Sequence, residues 1–446
     1  MSVKTFAAID VGSFELTMKI FDLSGKNTMR EIDCIRQRID LGSDTYAHGK
    51  ISNEKIDDLC HTLKEFAQIM ESYKVTAYKA YGTSAIRETE NTLILQDQIE
   101  QRTGIRVETL SNSEQRFLDY KSIASKGETF RRIIEEKTAI LDIGGGSIQI
   151  SLFDKDALVT TQNIRMGSLR IRERLAGIQS ETEHYEEMVE ELIWNEVSSF
   201  KKMYLKDRKI ENIMLIGDVF TDSVYQNIEE KTTKIISREN FNTWYEKIIR
   251  QSPMELAVKL GIPLENASLM YPSAVIYKCL IDTMGAEHIW IPGVHMTRGI
   301  AYEYAEQMKL LKGGHNFEND ILVASRNIAK RYSTGKDHIK GTTDIALTIF
   351  DSMKKIHGMG ARERLLLQIA VQLHDCGKYI SMADVAECSY RIIMATEIIG
   401  LSTEERKIIA SAVRYNTTEF VYCGNYDRGP GIDRQQYLLV AKLTAI

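Results

Sequence analysis

Apolar and polar residues alternate along two short stretches that lie far apart in the chain. In residues 6–22 and 139–154, a short apolar run ends in aspartate and is followed by glycine and serine. After this turn, apolar residues recur at every second position, over 16–20 in the first stretch and over 148–152 in the second. A period of two is typical of half-buried strands. Each stretch is therefore predicted to form a β-hairpin with a glycine turn at its tip, and the chain contains one internal repeat.

Helix-like and strand-like periods alternate in the rest of the chain up to about residue 310. Ser52 is a plausible N-cap for an amphipathic helix over residues 51–70, and residues 75–91 have the pattern of a strand, a polar turn and a helix start. Short apolar strands are predicted at 212–218 and 288–292. This alternation predicts an α/β architecture.

Long helical patterns dominate after the predicted linker at 312–320. They include residues 362–380 and 400–416, the latter beginning with a capping box of Ser402 and Glu405. We therefore predict two α/β lobes followed by an all-α domain. The predicted ranges are 1–128, 129–312 and 313–446.

The composition is that of an ordinary globular protein. Of the 446 residues, 43% are hydrophobic and 27% are charged, with a net charge of −5 that argues against broad nucleic-acid binding. The sequence has no apolar run of the roughly 20 residues that span a bilayer, and the pattern of its first residues predicts no signal peptide. Its six cysteines are scattered without CxxC spacing, which favours reduced thiols. We predict a soluble cytoplasmic protein without a membrane or nucleic-acid partner.

The two predicted hairpin tips carry residues suited to holding phosphate. Glycine adopts backbone conformations that other residues avoid, and successive N–H groups around such a turn form a concave anion site. We predict that the two tips face each other across a cleft and bind phosphate from both sides; the alternative is two unrelated hairpins. The residues concerned are Asp10, Gly12 and Ser13 in the first tip and Asp142, Gly144, Gly145, Gly146 and Ser147 in the second.

A further polar segment lies between the tips in sequence. Thr83 and Ser84 offer hydroxyl groups, and Arg87 offers a guanidinium group that can bind phosphate by charge-assisted hydrogen bonds. We predict all three as phosphate contacts. A surface charge on a helix explains Arg87 equally well.

The order and spacing of these motifs resemble the exopolyphosphatase/guanosine pentaphosphate phosphohydrolase (Ppx/GppA) family. This family belongs to the actin-like ATPase superfamily, whose two ribonuclease-H-like lobes clasp phosphate groups between two hairpins. The resemblance extends over nearly the whole chain and implies an α/β fold of two such lobes, a phosphate-binding cleft between them and a helical domain. Its motifs are AAIDVGS (7–13), GTSAIRETEN (82–91), LSNSEQRFL (110–118), LDIGGGS (141–147) and MGSLRIRE (166–173).

The resemblance implies hydrolysis of a terminal phosphoanhydride bond of inorganic polyphosphate or guanosine pentaphosphate. It also implies Mg²⁺ or a similar divalent ion, with Asp10 and Asp142 as the expected metal residues. Oriented N–H groups, Arg87 and the ion would stabilise the phosphoryl charge. A homodimer formed through the helical domain is a further expectation from the family.

Two glutamines stand where the family pattern has glutamates. In SNSEQR, Gln115 occupies the position of the catalytic base and Glu114 that of the preceding acid, while Gln149 replaces the glutamate after GGGS. An amide carries no charge and does not usefully accept a proton, and loss of a general base typically removes about 10²–10⁴-fold of rate. Glu114 or Glu15 would supply a carboxylate only through a shifted backbone; otherwise each is a solvated acid. The predicted catalytic residues are Glu114, Gln115, Gln149 and Asp142.

Two hypotheses about function follow from these departures. The first is a Ppx/GppA-type hydrolase with altered acid residues. The second is a catalytically impaired relative that binds polyphosphate or guanosine polyphosphates as a sensor or regulator. A general actin-like kinase is disfavoured, because GDVFTD (217–222) places Asp218 and Val219 where that fold often has a glycine-threonine contact.

Two further segments leave alternatives open. The basic residues of 165–174 either line a path for a polyanion or form a solvated helix face. HMTRG (295–299) either lines the cleft or is a loop without a ligand.

The helical domain carries a partial HD-domain signature. His374 and Asp375 match its paired residues and His338 its upstream histidine, so these three are weak metal candidates. The downstream stretch 383–390 lacks the expected histidines, and the chain stops before a final aspartate, so we expect this domain to be truncated relative to the family. Three ligands from different helices would hold a metal weakly. The alternative, which we favour, is a structural HD-like domain with His374 as an interior histidine.

Overall fold

A computed structural model describes residues 4–25, 27–155, 157–175, 185–217, 219–227, 234–420 and 434–446. The chain divides into two compact units. The first consists of Met1–Ala157 and Gln162–His315, and the second of Leu158–Thr161 and Asn316–Ile446. Within the described ranges, no helix is both long and apolar enough to cross a membrane.

The first sheet of the first unit contains five strands. They are β1 (Thr5–Val11), β2 (Glu15–Asp22), β3 (Arg30–Arg38), β4 (Ala77–Gly82) and β5 (Val107–Thr109). Their spatial order is β3-β2-β1-β4-β5; β1 and β3 run antiparallel to β2, while β4 runs parallel to both β1 and β5. The helices that accompany this sheet are α1 (Leu41–His48), α2 (Asn53–Ser72), α3 (Ser84–Glu88), α4 (Thr92–Thr103), α5 (Asn112–Ala124) and α6 (Glu128–Ile134).

Alternation along β1 builds two hydrophobic clusters, one on each face of this sheet. Ala7, Ile9 and Val11 pack in a cluster with residues of α2 and α4. Phe6 and Ala8 belong to the second cluster. This division follows from the period of two, which sends successive side chains to opposite faces of a strand.

The second sheet repeats the topology of the first. Its strands are β6 (Thr138–Ile143), β7 (Ile148–Asp154), β8 (Ala157–Ile164), β9 (Asn212–Ile216), β10 (Ile235–Ser237) and β11 (His288–Trp290). The spatial order is β10-β11-β9-β6-β7-β8. Strand β6 is antiparallel to β7 and parallel to β9, in the same way that β1 is antiparallel to β2 and parallel to β4. The strand β10 is an antiparallel addition beside β11. The predicted internal repeat and the two ribonuclease-H-like lobes are thereby confirmed.

Helices of the second lobe follow β8 and connect its later strands. They are α7 (Ser168–Leu175), α8 (Tyr185–Phe200) with a π-helical turn at Lys201–Leu205, α9 (Val219–Asn227), α10 (Arg238–Ile249), α11 (Pro253–Leu260), α12 (Leu264–Met284) and α13 (Met296–Gln307). The last of these, α13, packs against α5 and β1 of the first lobe. A Cβ at Gly299 would overlap the carbonyl oxygen of Leu118, so glycine permits the close crossing of α13 and α5. The predicted range 129–312 thus includes a helix that lies on the first lobe.

Ion pairs join the two lobes of the first unit. Arg170 of α7 lies 2.8 Å from Glu88 and stacks on the ring of Tyr46, and Arg172 lies 2.9 Å from Asp40. All four charged side chains are a quarter exposed or less. These two arginines of the basic segment therefore contribute to the contact between the lobes and do not form a solvated helix face; a path for a polyanion stays a prediction.

The second unit is helical beyond the short strand segment Leu158–Thr161. Its helices are α14 (Phe317–Arg331), α15 (Lys336–Ser352), α16 (Lys354–His357), α17 (Ala361–Leu373), α18 (Val385–Ala395), α19 (Thr403–Tyr415) and α20 (Arg434–Ala445). The predicted capping box of Ser402 and Glu405 begins α19. The helix predicted over 362–380 is shorter than expected, since α17 ends at Leu373 and a 3-10 turn covers Cys376–Tyr379.

Candidate active site

A cavity of about 160 Å³ lies between the tips of the β1–β2 and β6–β7 hairpins. This volume holds several water molecules or a phosphoryl group, since a single water needs only about 10–15 Å³. The structure thus brings both predicted tips and the segment after β4 to one place. The predicted site residues that line the cavity are Asp10, Gly12, Ser13, Thr83, Ser84, Gln115, Asp142, Gly144, Gly145 and Ser147.

The two tips close in the same manner. The N–H of Gly12 donates to the carbonyl of Glu15 at 3.1 Å, and the N–H of Gly144 donates to the carbonyl of Ser147 at 2.9 Å. The start of α7 reinforces the second tip, because the N–H of Ser168 donates to the carbonyl of Gly144 at 3.2 Å. Equivalent turns in the two lobes therefore present their backbone to the same cavity.

The second tip packs against a hydroxyl cluster of the first lobe. Within that lobe, Ser13 Oγ lies 2.7 Å from the hydroxyl of Tyr46 and 2.8 Å from Ser84 Oγ. A Cβ at Gly146 would overlap the Tyr46 hydroxyl and lie 2.5 Å from Ser84 Oγ. Gly146 thus packs on the first lobe, and its lack of a side chain permits the close approach of the tips.

Three carboxylates gather where the first strands of the two lobes end. Asp10 and Asp142 occupy equivalent positions on β1 and β6, and Asp119 comes from α5. Burial, reinforced by the charges of Asp142 and Glu15, raises the pKa of Asp10 to about 7. Burial also raises the pKa of Asp142 to about 6, although the hydrogen bond with Asp119 acts in the opposite direction. Burial and the charge of Asp142 raise the pKa of Asp119 well above its usual range. Without a cation, full ionisation of this group is unfavourable.

This carboxylate group fits a divalent cation with oxygen ligands. Asp10 Oδ1 and Asp119 Oδ2 are shielded from solvent, and neither has a hydrogen-bond partner among the described residues. Gly217, at φ +107°, brings its backbone so close to Asp142 that a Cβ there would overlap Oδ1. Carboxylates are preferred ligands of Mg²⁺ and Mn²⁺. Asp10 and Asp142, the predicted metal residues, are therefore suitably placed to hold such an ion.

Asp119 is a site residue that the sequence analysis missed. It follows Gln115 by four residues on α5, so the two share one face of the helix. Both residues line the cavity, and Asp119 is only 5% exposed. An acidic residue one helical turn beyond a candidate site position was the available signal.

Gln115 reaches the cavity, whereas its neighbours Arg87 and Glu114 make other contacts. Arg87 Nη1 donates to the carbonyl of Leu110 at 2.7 Å and to Gln115 Oε1 at 3.5 Å. Glu114 accepts the N–H of Ser111 at 2.9 Å, within the capping box that begins α5. In the structure, Arg87 thus lies beside Gln115 and Glu114 caps a helix N-terminus, while the phosphate contact of Arg87 and the catalytic role of Glu114 stay predictions.

Gln149 is a buried amide next to Asp142. The two residues are cross-strand partners on β7 and β6, and Gln149 is 2% exposed. Neither Nε2 nor Oε1 has a hydrogen-bond partner within the part of the chain that the structure describes. Such a group typically costs about 1–3 kcal/mol when unsatisfied. This predicted catalytic position thus contributes a neutral, enclosed side chain.

A charged triad, also missed by the sequence analysis, lines the cavity from three separate elements. Arg36 Nη1 lies 2.9 Å from Asp222 Oδ2, and His295 Nε2 lies 3.1 Å from Asp222 Oδ1. Burial acts to raise the pKa of Asp222, but the hydrogen bond and charge of His295, followed by the charge of Arg36, lower it to about 2. The segment HMTRG therefore contributes His295 to the cavity. The segment GDVFTD contributes Val219, and its Asp218 lies outside the described residues.

The helical unit brings its three metal candidates together, and we call them the two-histidine cluster. His338 Nε2 lies 3.2 Å from His374 Nε2 and 3.6 Å from Asp375 Oδ2. The Nδ1 of His374 donates to the carbonyl of Val371 at 2.7 Å, which leaves Nε2 as the acceptor in a neutral ring. Lys378 pairs with Asp375 at 2.6 Å and competes with a metal for this carboxylate. Metal binding here stays a prediction.

Comparison with known proteins identifies the family. Residues 20–308 match the Ppx/GppA phosphatase family, and residues 323–444 match Ppx/GppA phosphatase, domain III. The chain belongs to the Ppx/GppA phosphatase family. The second match covers most of the range for which an HD-like domain was predicted, and the HD-like assignment itself stays a prediction.

The chain is similar to a bifunctional enzyme and to several solved structures. A bifunctional 3-dehydroquinate synthase/phosphatase of Fusobacterium nucleatum is 22% identical over 310 residues, covering 64% of this chain and 44% of the relative. The chain thus matches less than half of that protein. An exopolyphosphatase from Cytophaga hutchinsonii is 19% identical with a TM-score of 0.61, covering 69% of this chain and 100% of that one. The Aquifex aeolicus family member is 16% identical with a TM-score of 0.56, covering 69% and 99%. These structures share the actin-like ATPase fold of the two lobes.

Proposed function

We propose that the first unit hydrolyses the terminal phosphoanhydride bond of inorganic polyphosphate or of guanosine pentaphosphate in the cavity between the hairpin tips. The pairing of the two tips carries this proposal, because it offers backbone and hydroxyl donors from both lobes beside a group of carboxylates. A terminal phosphoryl group needs donors around its oxygens and positive charge from a metal ion. Membership of a phosphatase family supports the reaction class, and the related protein from Cytophaga hutchinsonii is an exopolyphosphatase.

Each part of the cavity has a separate task in this proposal. Mg²⁺ or a similar ion, held by Asp10 and Asp142, would supply positive charge that offsets the charge of the phosphoryl group. Ser13 and Ser84 share a hydrogen-bonded hydroxyl cluster and can redirect a donor to a phosphate oxygen. Gln115 can orient a water molecule through its amide, but it does not take the proton of that water.

A second candidate function is binding without turnover, as expected of a sensor or regulator of polyphosphate or guanosine polyphosphates. Gln115 and Gln149 favour this function, because both are neutral at the positions where the family pattern has glutamates. The phosphate-binding tips do not depend on either residue. Binding would therefore persist where hydrolysis is weak.

Three further expectations accompany the proposal. The ligand is a polyphosphate or a guanosine polyphosphate, and neither a nucleic acid nor a membrane is proposed as a partner. A homodimer and a cytoplasmic location stay predictions from the family resemblance and the composition. Light scattering during size-exclusion chromatography measures the oligomeric state directly.

Phosphate release from long-chain polyphosphate and from guanosine pentaphosphate, each with Mg²⁺, tests the proposal. The protein is compared with the double variant Gln115→Glu/Gln149→Glu, and Asp142→Asn serves as the inactive control. Turnover by the unmodified protein that Asp142→Asn abolishes is the expected result. Tight binding without turnover, together with activity gained in the double variant, would establish the binding function instead. If neither ligand binds, the assignment of the tips to phosphate is wrong.

A further inference from the structure

Asp119 enters the cavity at a point where its charge needs a partner. The residue lies inside α5, is 5% exposed and lines the cavity. Its side chain is hydrogen-bonded with Asp142, while Oδ2 has no hydrogen-bond partner among the residues described. A buried carboxylate oxygen without a hydrogen-bond donor lowers the stability of the fold unless a bound ligand interacts with it. The carboxylate of Asp119 is thus directed towards Asp142 and the cavity, not into a satisfied structural contact.

The balance of charge around the cavity points to a cation. Five carboxylates line the cavity, and within the described structure they face only two guanidinium groups and one imidazole. The guanidinium of Arg116 acts on Asp119 and Asp142, and that of Arg36 pairs with Asp222. A polyphosphate chain would add further negative charge. Coulomb repulsion between such groups is strong away from bulk water. A cation between the phosphate and the carboxylates would relieve this repulsion while the carboxylates stay ionised.

The backbone holds Asp119 in this position. Gly299 allows α13 to cross close to Leu118, the residue before Asp119. Residues four apart on a helix have Cβ atoms about 5–6 Å apart on the same face. Asp119 therefore presents its carboxylate one helical turn beyond Gln115, whose own side chain is neutral and lies beside Arg87.

We propose that Asp119 is the third carboxylate ligand of the divalent cation held by Asp10 and Asp142. Asp119 lies one helical turn after Gln115 on α5 and provides the negative charge that Gln115 lacks. This inference rests on the cation that the proposed hydrolase requires. It accounts for the unpartnered Oδ2 and for the acidic residue in the buried interior of a helix. The substitution of glutamine at position 115 would then have moved the acidic group rather than removed it.

Mn²⁺ binding to the full chain, measured by electron paramagnetic resonance without substrate, tests the proposal. Asp119→Asn keeps the size and shape of the side chain while removing its charge and one of its two acceptor oxygens. We expect this variant to bind Mn²⁺ at least about 10- to 100-fold more weakly, since this is the loss typical even of an outer-shell partner of a ligand. Asp57→Asn is the matched control, since it removes the same charge from an exposed ion pair with Arg102 in the same lobe. The control should bind Mn²⁺ as the unmodified protein does.

Thermal unfolding separates a ligand from a structural residue. Asp119→Asn should leave the Tm of the metal-free protein unchanged or higher, while the rise in Tm caused by Mn²⁺ shrinks. A fall in the metal-free Tm with an unchanged response to Mn²⁺ would assign Asp119 a structural role and overturn the proposal.

A crystal of the unmodified protein grown with Mn²⁺ makes the test independent of any variant. Anomalous scattering locates the ion, and we expect an Asp119 oxygen within about 2.5 Å of it. An ion on Asp10 and Asp142 with Asp119 out of reach overturns the proposal. If Asp119→Asn loses Mn²⁺ affinity but the unmodified protein shows no hydrolase activity, the assignment of Asp119 as a metal ligand stands and the proposed hydrolase function is wrong. If hydrolysis occurs and Asp119→Asn does not affect it, the proposed hydrolase function stands and the assignment of Asp119 as a metal ligand is wrong.

Discussion

Replacing Asp222 by asparagine tests the charged triad that joins elements of both lobes at the cavity. Asp222 of α9 contacts Arg36 of β3 at 2.9 Å and His295, the residue before α13, at 3.1 Å. Its side chain is 23% exposed, so solvent screens these contacts only in part. Asparagine keeps the shape but removes the charge. Arg36 retains a weaker partner, Glu15, at 3.7 Å.

The lowered pKa sets the size and the pH range of the effect. The pKa of Asp222 falls from its ordinary value of 3.8 to about 2 in the folded protein. A lowered pKa means that folding favours the charged form, so the stabilisation is present above pH 3.8 and is lost as the pH falls towards 2. At about 1.4 kcal/mol per pKa unit, the ionised side chain contributes about 2 kcal/mol to the free energy of unfolding at pH 7 and roughly half of that at pH 3.

Urea unfolding followed by tryptophan fluorescence measures this contribution. The three tryptophans, Trp194, Trp244 and Trp290, all lie in the first unit, so the signal reports that unit without the helical one. We expect Asp222→Asn to lower the free energy of unfolding by about 2 kcal/mol at pH 7. The difference from the unmodified protein should shrink by about half at pH 3. Asp57→Asn, in an exposed ion pair, should change it by less than about 1 kcal/mol.

The reasoning is refuted by a difference that stays constant between pH 7 and pH 3. Such a result would show that asparagine disturbs packing and that the charge of Asp222 contributes little. Equal effects of Asp222→Asn and Asp57→Asn at pH 7 would show that solvent screens the triad as fully as a surface pair.

Two further predictions concern the tips and the helical unit. Gly146→Ala places a methyl group on the hydroxyl of Tyr46, so we expect a loss of about 1–3 kcal/mol in urea unfolding and weaker polyphosphate binding by calorimetry. Gly314→Ala, at an exposed position of the same unit with open space around it, is the control and should be neutral or stabilising; similar losses in both variants would contradict the contact. For the two-histidine cluster, we expect the unmodified protein to bind more Zn²⁺ equivalents than His374→Ala in calorimetry. Identical stoichiometry would mean that the cluster holds no zinc.

Some candidate site residues were predictable because their signal is local. The turns around Gly12 and Gly144 follow from glycine and serine between two apolar runs, and they close with the same backbone hydrogen bond in both lobes. The capping box at Ser111 follows from residue types three positions apart. That same capping box engages Glu114, which had been predicted as a catalytic acid. Here a local signal for helix capping competed with a family pattern, and the structure shows the cap.

Other site residues depend on contacts that no local pattern encodes. No local pattern singled out Asp119, because its burial arises from the packing of α5 against α13 and β6. Arg36, Asp222 and His295 are separated by more than 70 positions from one to the next, and they meet only when both lobes are folded. Arg87 was predicted from its guanidinium alone, whereas its partner, the carbonyl of Leu110, is set by the position of α5.

By itself, the sequence determined the duplicated hairpins, the two α/β lobes and the glycine turns at the tips, for which it predicts phosphate binding. These features rest on apolar periodicity and on the conformational freedom of glycine, which act over a few residues. Tertiary structure alone decided which carboxylates share the cavity, since burial and the separation of charges depend on how distant segments pack. Gln115 indicated from the sequence that an acidic group was missing. The packing of α5 against the second lobe placed Asp119 beside Asp142, where a carboxylate can take its place.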